Sequence, residues 1–374
     1  MKKHLFFLII ITLAGCAFQA PAENFGGSQI VESMALQYAQ QFSVDYLADG
    51  CSLISIHESG RFLLVPEGQE PPLHVDRDVT ILRQPVRNIY LAATSVMCLF
   101  NALDALEHIT MSGTKAEGWY IENARAAMER GTIVYAGKYS APDYELLMAK
   151  NCGLAVESTM IYHTPEVKEK LEELGIPVLV ERSSYEPHPL GRTEWIKLYG
   201  LLLGKDTLAG SLFHEQTAYV DNVQSMPAST AGKTVAFFYI SSSGKAVARR
   251  SGDYVARMIE LAGGHYAFTG LGDGDSATGS VSLEMERFYV EAKNADYIIY
   301  NSSIDGEIRT LDELLAKSHL LAGFKAVKDG NVWCTGKNLF QETTEFGLMI
   351  SDMHRIFTGD WDDSANLTFF EKLR

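Results

Sequence analysis

A protein that does chemistry needs a nucleophile, an acid–base pair, a metal cluster or a shaped pocket, and this sequence is poor in the first three. It has no Gly-x-Ser-x-Gly elbow, no His-Glu-x-x-His pair and no glycine-rich phosphate loop ending in Gly-Lys-Ser/Thr. The 10 histidines are scattered, and no Cys-x-x-Cys or Cys/His cluster marks a zinc site. Asp273-Gly274-Asp275 lacks the remaining ligands of a calcium loop. Glu186 and Glu194 stand near His188, but closeness in sequence is a poor guide to an acid–base site. Catalysis, a resident cofactor and a bare-metal site are therefore not expected. What remains is recognition by aromatic and cationic side chains, of which the sequence has many. Aromatic faces suit flat or greasy molecules, and guanidinium suits carboxylate-bearing or anionic ones.

One residue near the start has a chemistry of its own. Lys2 and Lys3 precede an apolar run, Leu5–Leu13, too short to span a bilayer, which takes roughly 20 residues. Small residues and a cysteine follow, Leu13-Ala14-Gly15-Cys16. A basic start, a short apolar stretch and a small-residue cleavage site make a secretory signal. The last four residues resemble a bacterial lipobox, which implies acylation of Cys16. Several acyl chains on one residue hold a membrane firmly where one holds weakly. The expected location is extracytoplasmic, lipid-anchored to the cell envelope.

With an apolar fraction of 47%, the 374 residues are enough for a sizeable core and two domains. The net charge of −15 argues against nucleic acid and against anionic lipid bound by charge. Cys51, Cys98, Cys152 and Cys334 allow three disulfide pairings or four free thiols.

The recognition residues need elements to place them, and the pattern along the chain supplies these. Residues 17–50 read as a tether and N-terminal helix, the helix over 30–41. Ser52–Ile56 and Phe62–Val65, joined by His57-Glu58-Ser59-Gly60, read as a hairpin. Strand-like runs (88–93, 109–112, 132–136, 154–157 and 178–181) then alternate with helical ones, 95–106, 120–129, 143–150 and 165–174. Such alternation predicts parallel sheet covered by helices. The second half repeats this alternation, with strands at 234–240, 297–301 and 332–334, and helices at 251–262, 282–292, 311–318 and 344–357. Thr310 and Glu313 form a capping box. Between the halves, 192–226 is helical in character, with Gly200 and Gly204 interrupting its first part. The rest makes a rod of about 30 Å. The fold expected is α/β, two Rossmann-like lobes with mostly parallel sheets joined by a single long connecting helix. Its divisions are a signal peptide and lipidated cysteine at 1–16, the tether and helix at 17–50, an N-terminal lobe at 51–191, a connecting segment at 192–226 and a C-terminal lobe at 227–374.

Several segments resemble the periplasmic substrate-binding proteins of cobalamin, haem and ferric-siderophore ABC importers. Arg87-Asn88-Ile89-Tyr90-Leu91-Ala92-Ala93-Thr94-Ser95 resembles the opening strand-to-helix turn, and Ser140–Ala149 a Pro-Asn-Leu-Glu stretch before a helix. Ser184–Ile196 resembles a segment before the connecting helix. In the second half, Val281-Ser282-Leu283-Glu284 and Gly330-Asn331-Val332-Trp333-Cys334 resemble the matching helix start and the late strand. The resemblance implies a monomeric capture protein that binds an iron chelate or corrinoid between its lobes. It would deliver that ligand to an ABC permease and its ATPase. An alternative is a sensing or scaffold lipoprotein of the same fold with no transport role. The resemblance also implies that Glu145 and Glu284, one per lobe, dock onto permease arginines. In open α/β lobes ligands lie outside the C-terminal ends of the strands. That rule selects Thr94-Ser95, Trp119-Tyr120, Tyr139, Tyr162-His163 and the Tyr185–Arg192 segment on one lobe, and Ser241–Lys245, Arg249-Arg250, the 270–280 loop, Ser302-Ser303 and Lys337 on the other; among these Trp119, Tyr139, Tyr185, Arg249 and Arg250 are the ligand-binding candidates.

Overall fold

The computed structural model describes residues 24–226, 232–272, 279–304, 306–361 and 367–374. The signal segment, the lipidation candidate Cys16 and residues 273–278 of the glycine-rich loop lie outside the described residues.

Six strands open the described chain. Asn24–Phe25, Ser28–Ser33, Phe42–Leu47, Ser52–Ile56, Gly60–Val65 and Val79–Arg83 form one sheet in chain order. Neighbours run antiparallel except the last pair, which is parallel. Period-two alternation explains its two covered faces. Ile54, Ile56, Phe62 and Leu64 join the main core, while Leu53, Leu63 and Val65 close over a small separate core with Phe25 and Cys51.

The helix expected over 30–41 is absent. Part of it is the strand Ser28–Ser33, and the rest is an irregular strap. The physical reason is visible in the strap's hydrogen bonds. Two buried carboxylates, Glu186 and Glu194, accept from the backbone N–H groups of Gln37, Tyr38, Ala39, Gln40 and Gln41 at 2.8–3.1 Å. Those donors are thereby unavailable to a helical ladder. The hairpin expected over 52–65 is present, but it belongs to this sheet rather than to the parallel sheet that follows.

The N-terminal lobe holds five parallel strands in the order Val178–Glu181, Leu154–Ser158, Ile89–Leu91, Ile109–Ser112, Val134–Tyr135. Helices Met97–Ala102, Glu122–Glu129, Tyr144–Ala149 and Pro165–Glu173 alternate with them. The C-terminal lobe is mixed. Thr234–Ile240 pairs in parallel with Tyr297–Tyr300, which pairs in parallel with Val332–Thr335. Ala246–Arg249, Ser280–Leu283 and Phe370–Lys372 run antiparallel to their neighbours. The helix expected from residue 282 begins only at Met285, because 280–283 joins the sheet edge.

The connecting segment is two helices, Pro189–Leu203 and Asp206–Ser225. Gly204 separates them at φ 70° in the left-handed region, where a glycine carries no steric cost. Gly200 stays helical. The second helix is the 20-residue rod, about 30 Å long. It packs on the closing helix Phe346–Thr358. A Cβ on Gly347 would stand 2.2 Å from the Gln216 carbonyl oxygen, so only glycine permits that approach.

Candidate functional site

At the C-terminal ends of the N-terminal lobe's strands, apolar surface is left open. Tyr120, Tyr135, Met160, Tyr162 and Tyr185 are 41–46% exposed; Tyr135 is the last residue of its strand, Met160, Tyr162 and Tyr185 follow a strand end within a few residues, and Tyr120 lies in the longer connection after Ser112. Exposed apolar groups gathered on one edge mark an interaction site more often than scattered ones do. Tyr185 lies with its ring 4.4 Å from the Arg182 guanidinium. Tyr139 is half-buried, in the turn after Gly137-Lys138, and packs on the lobe's second core.

Trp119 corrects an expectation. Its ring is only 1% exposed and belongs to the main core, and its indole N–H donates to Ser112 Oγ at 3.2 Å. The backbone around it does the facing: Gly118 O accepts from Gln341 Nε2 at 2.8 Å, and Tyr120 N donates to Gln341 Oε1 at 2.9 Å.

The C-terminal lobe presents cations over aromatic rings. Arg249 ends the strand Ala246–Arg249. Its Nη1 donates to Ser280 Oγ at 3.1 Å, its Nε is 3.5 Å from Asp253 Oδ1, and its guanidinium lies 5.1 Å from the Phe340 ring and 5.5 Å from the Tyr254 ring. Arg192, from the first connecting helix, lies 4.1 Å from the same Tyr254 ring. Tyr254 in turn stacks on Phe346. The Nε atoms of Arg192 and Arg249 are both buried with no hydrogen-bond partner. Burial pushes the nearby Glu181 carboxyl up, against hydrogen bonds from Ser183 and Ser95 and the charge of Arg192. Arg250 is half-buried, and its guanidinium makes no ion pair or hydrogen bond among the described residues. Arg192 and Arg249 thus each keep one buried donor without an acceptor, while Asp253 offsets the charge of Arg249.

The two sets of residues are joined by a chain crossing. After strand Val332–Thr335, the stretch 338–345 runs onto the N-terminal lobe. Besides the Gln341 clamp, Thr343 Oγ1 donates to Ser95 O at 3.1 Å and Thr193 Oγ1 donates to Thr343 O at 2.8 Å. Sequence reasoning selected Arg249 and Arg250, and Arg192 only as the end of the Tyr185–Arg192 segment, but missed Tyr254, Phe340 and Gln341. Arg192 sits inside a helix buried along nearly its whole length, and no spacing distinguishes it. Tyr254 carried a usable signal, as the first residue of a helix capped by Asp253 just after the arginines.

A profile described as "periplasmic binding protein" matches residues 92–339, about two thirds of the sequence. The chain belongs to the periplasmic binding protein family. An uncharacterized lipoprotein of Methanocaldococcus jannaschii is 26% identical over 349 residues, covering 87% of this chain and 86% of its own. A second uncharacterized lipoprotein of that organism is 28% identical over 239 residues, 64% of this chain, and the match spans about half, 54%, of that relative's length. Three solved structures share the fold. The periplasmic heme binding protein HutB of Vibrio cholerae has a TM-score of 0.57 at 17% identity, covering 74% of this chain and 99% of its own. A periplasmic heme binding protein of Pseudomonas aeruginosa has 0.58 at 15%, covering 76% and 97%. An Fe3+-hydroxamate transport protein of Saccharomonospora viridis has 0.55 at 19%, covering 73% and 93%. The two-lobe α/β architecture of this family member is thus shared with binding proteins for iron compounds.

The two docking candidates differ in surroundings. Glu145 is exposed in the first turn of helix Tyr144–Ala149, next to Asp143, which caps that helix by accepting from Leu146 N at 3.0 Å. Glu284 is the residue before helix Met285–Ala292 and pairs with Lys245 at 2.6 Å. Carboxylates at both places gain from the helix dipole. Cys51, Cys98, Cys152 and Cys334 are all free thiols, and burial pushes the Cys51, Cys152 and Cys334 thiols up to about 11.

Proposed function

We propose that this protein is the lipid-anchored binding component of an ABC importer. It captures an iron chelate (a ferric siderophore or haem) or a corrinoid between its lobes and hands it to a permease energised by an ATPase. The observation that carries this reading is the pair of arginines, Arg192 and Arg249, over Tyr254 and Phe340, together with the tyrosines that the N-terminal lobe leaves exposed near its strand ends. A chelate needs both features: apolar faces for its body and cations for its charge. Haem and ferric-hydroxamate binding by structural neighbours supports the ligand class. Trp119 serves in this reading as a wall behind the site, while Tyr139, Tyr185, Arg249 and Arg250 line it. Glu145 and Glu284 present one carboxylate per lobe to the permease. The anchor at Cys16 keeps the protein at the membrane outside the cytoplasm.

Equilibrium binding of the mature protein to haemin, cobalamin and ferric siderophores tests this. One saturable 1:1 complex at submicromolar Kd is the expected result. No binding to any chelate, with no association with a permease, would sink the reading.

A further inference from the structure

The mouth of the N-terminal lobe has a neighbour that lies outside the stretch matching the family. The tip of the hairpin between Ser52–Ile56 and Gly60–Val65 belongs to the N-terminal sheet, before residue 92. It reaches the C-terminal end of the edge strand Val178–Glu181, where Ser59 Oγ donates to Val180 O at 3.2 Å. The Tyr162 hydroxyl donates to Glu58 O at 3.5 Å. Glu58 sits at φ 53° in the turn, and its carboxylate is 3.0 Å from Arg182 Nη2. Arg182 Nε donates to Gln41 Oε1 at 3.2 Å, from the strap of the same N-terminal module. Arg182 itself is 5% exposed and lies 4.4 Å from the ring centroid of Tyr185, a residue 46% exposed.

We propose that this hairpin tip positions part of the binding site: Glu58 and Gln41 hold Arg182 against one face of Tyr185, so that the ring becomes a platform for a flat, anionic portion of the ligand. The inference rests on the function proposed above and narrows its ligand class. A guanidinium against one face draws electron density toward itself. The outer face then repels a second cation and accepts an electron-rich or anionic ring. The arginines of the opposite lobe favour the same charge. The N-terminal sheet is in this view a contributor to specificity as well as a cover for the lobe.

The test titrates the mature chain with haemin and a ferric tris-catecholate, which are aromatic and anionic, and with a ferric tris-hydroxamate and cobalamin, which are not. The wild type is expected to prefer an aromatic anionic probe. Tyr185→Ala should weaken that probe roughly tenfold, the scale of one aromatic contact, and Tyr185→Phe should retain it. Glu58→Ala should weaken it about threefold, as expected for losing part of one cation–π arrangement, and should cost nothing further in the Tyr185→Ala background. An equal loss from Glu58→Ala in both backgrounds would assign Glu58 a purely structural role and overturn the proposal. So would a preference for the hydroxamate or cobalamin. If a chelate binds and Tyr185→Ala binds it as well as wild type, this inference alone fails. If no chelate binds, the proposed function fails and takes the inference with it.

Discussion

The two lobes present opposite surfaces at the ends of their strands. The N-terminal lobe leaves tyrosines and a methionine open, with its one nearby guanidinium, Arg182, buried beneath a ring. The C-terminal lobe differs: its buried Tyr254 lies under two guanidinium groups, that of Arg249 from the lobe itself and that of the buried Arg192 from the first connecting helix. In the proposed function, a ligand between them would meet tyrosines on one side and guanidinium groups on the other. The lobes differ inside as well. In the C-terminal lobe the buried Asp253 accepts from Val255 N and Gly279 N, and Asp352 from Thr368 N and Phe369 N. In the N-terminal lobe Glu157 is fully buried, and neither of its oxygens has a partner.

Four experiments sharpen or break this contrast. The largest effect is expected at the membrane. Reversing charge on both lobes, Glu145→Lys with Glu284→Lys, should abolish uptake by cells while leaving the Kd for ligand unchanged. Uptake at the wild-type rate would remove both residues from the docking role. Next is the charged wall. Arg249→Glu should weaken an anionic chelate by about 100-fold or more, since it replaces a paired charge with a repelling one near the base of the site. The same reversal at Lys233, away from the mouth, should change affinity by less than about twofold.

Third is the unpaired acid. Burial raises the Glu157 carboxyl to about 8 from its ordinary 4.5. The folded state therefore holds a proton that the unfolded state releases above its own pKa. Stability from this group is present at low pH and is lost as pH rises from about 4.5 through 8. The slope approaches 1.4 kcal/mol per pH unit between those limits. Glu157→Gln should flatten that loss in thermal melts taken from pH 5 to 9, and an unchanged slope would show that Glu157 does not cause it. Smallest is the surface pair of the C-terminal lobe. Lys245→Ala frees Glu284 from an exposed partner and should change stability by less than about 1 kcal/mol, readable as a small shift in Tm.

Much of the architecture was legible in the residues. Strand–helix alternation from 88 to 181 located every strand of the N-terminal sheet to within two residues or so, because fully buried parallel strands are continuous apolar runs bounded by turn residues. The capping box at Thr310 and Glu313 is present as read. The failures share one cause, the long-range contact. Nothing local to 34–41 says that Glu186 and Glu194, about 150 positions later, will take its backbone N–H groups. The connecting segment has the composition of one long helix. Gly204 divides it, while Gly200, equally glycine, stays helical. The site was half legible. Arginines and tyrosines at strand ends follow from topology, so Arg249 and Tyr185 were selected, and both do stand at or just beyond strand ends. Trp119 obeys the same rule and is buried, because the rule selects loops and packing decides which way a ring turns. Arg192 was selected only as the end of the Tyr185–Arg192 segment, and its contact with Tyr254 is made from the connecting helix, which no strand end marks.

The most direct test is a calorimetric titration of the mature wild-type protein and its Arg249→Glu variant with the best-bound chelate. An arginine wall that holds the ligand's charge predicts 1:1 binding at submicromolar Kd by the wild type and loss of about 100-fold or more in the variant. Equal affinities in the two proteins would contradict it, because the ligand's charge would then be held somewhere other than the arginine wall.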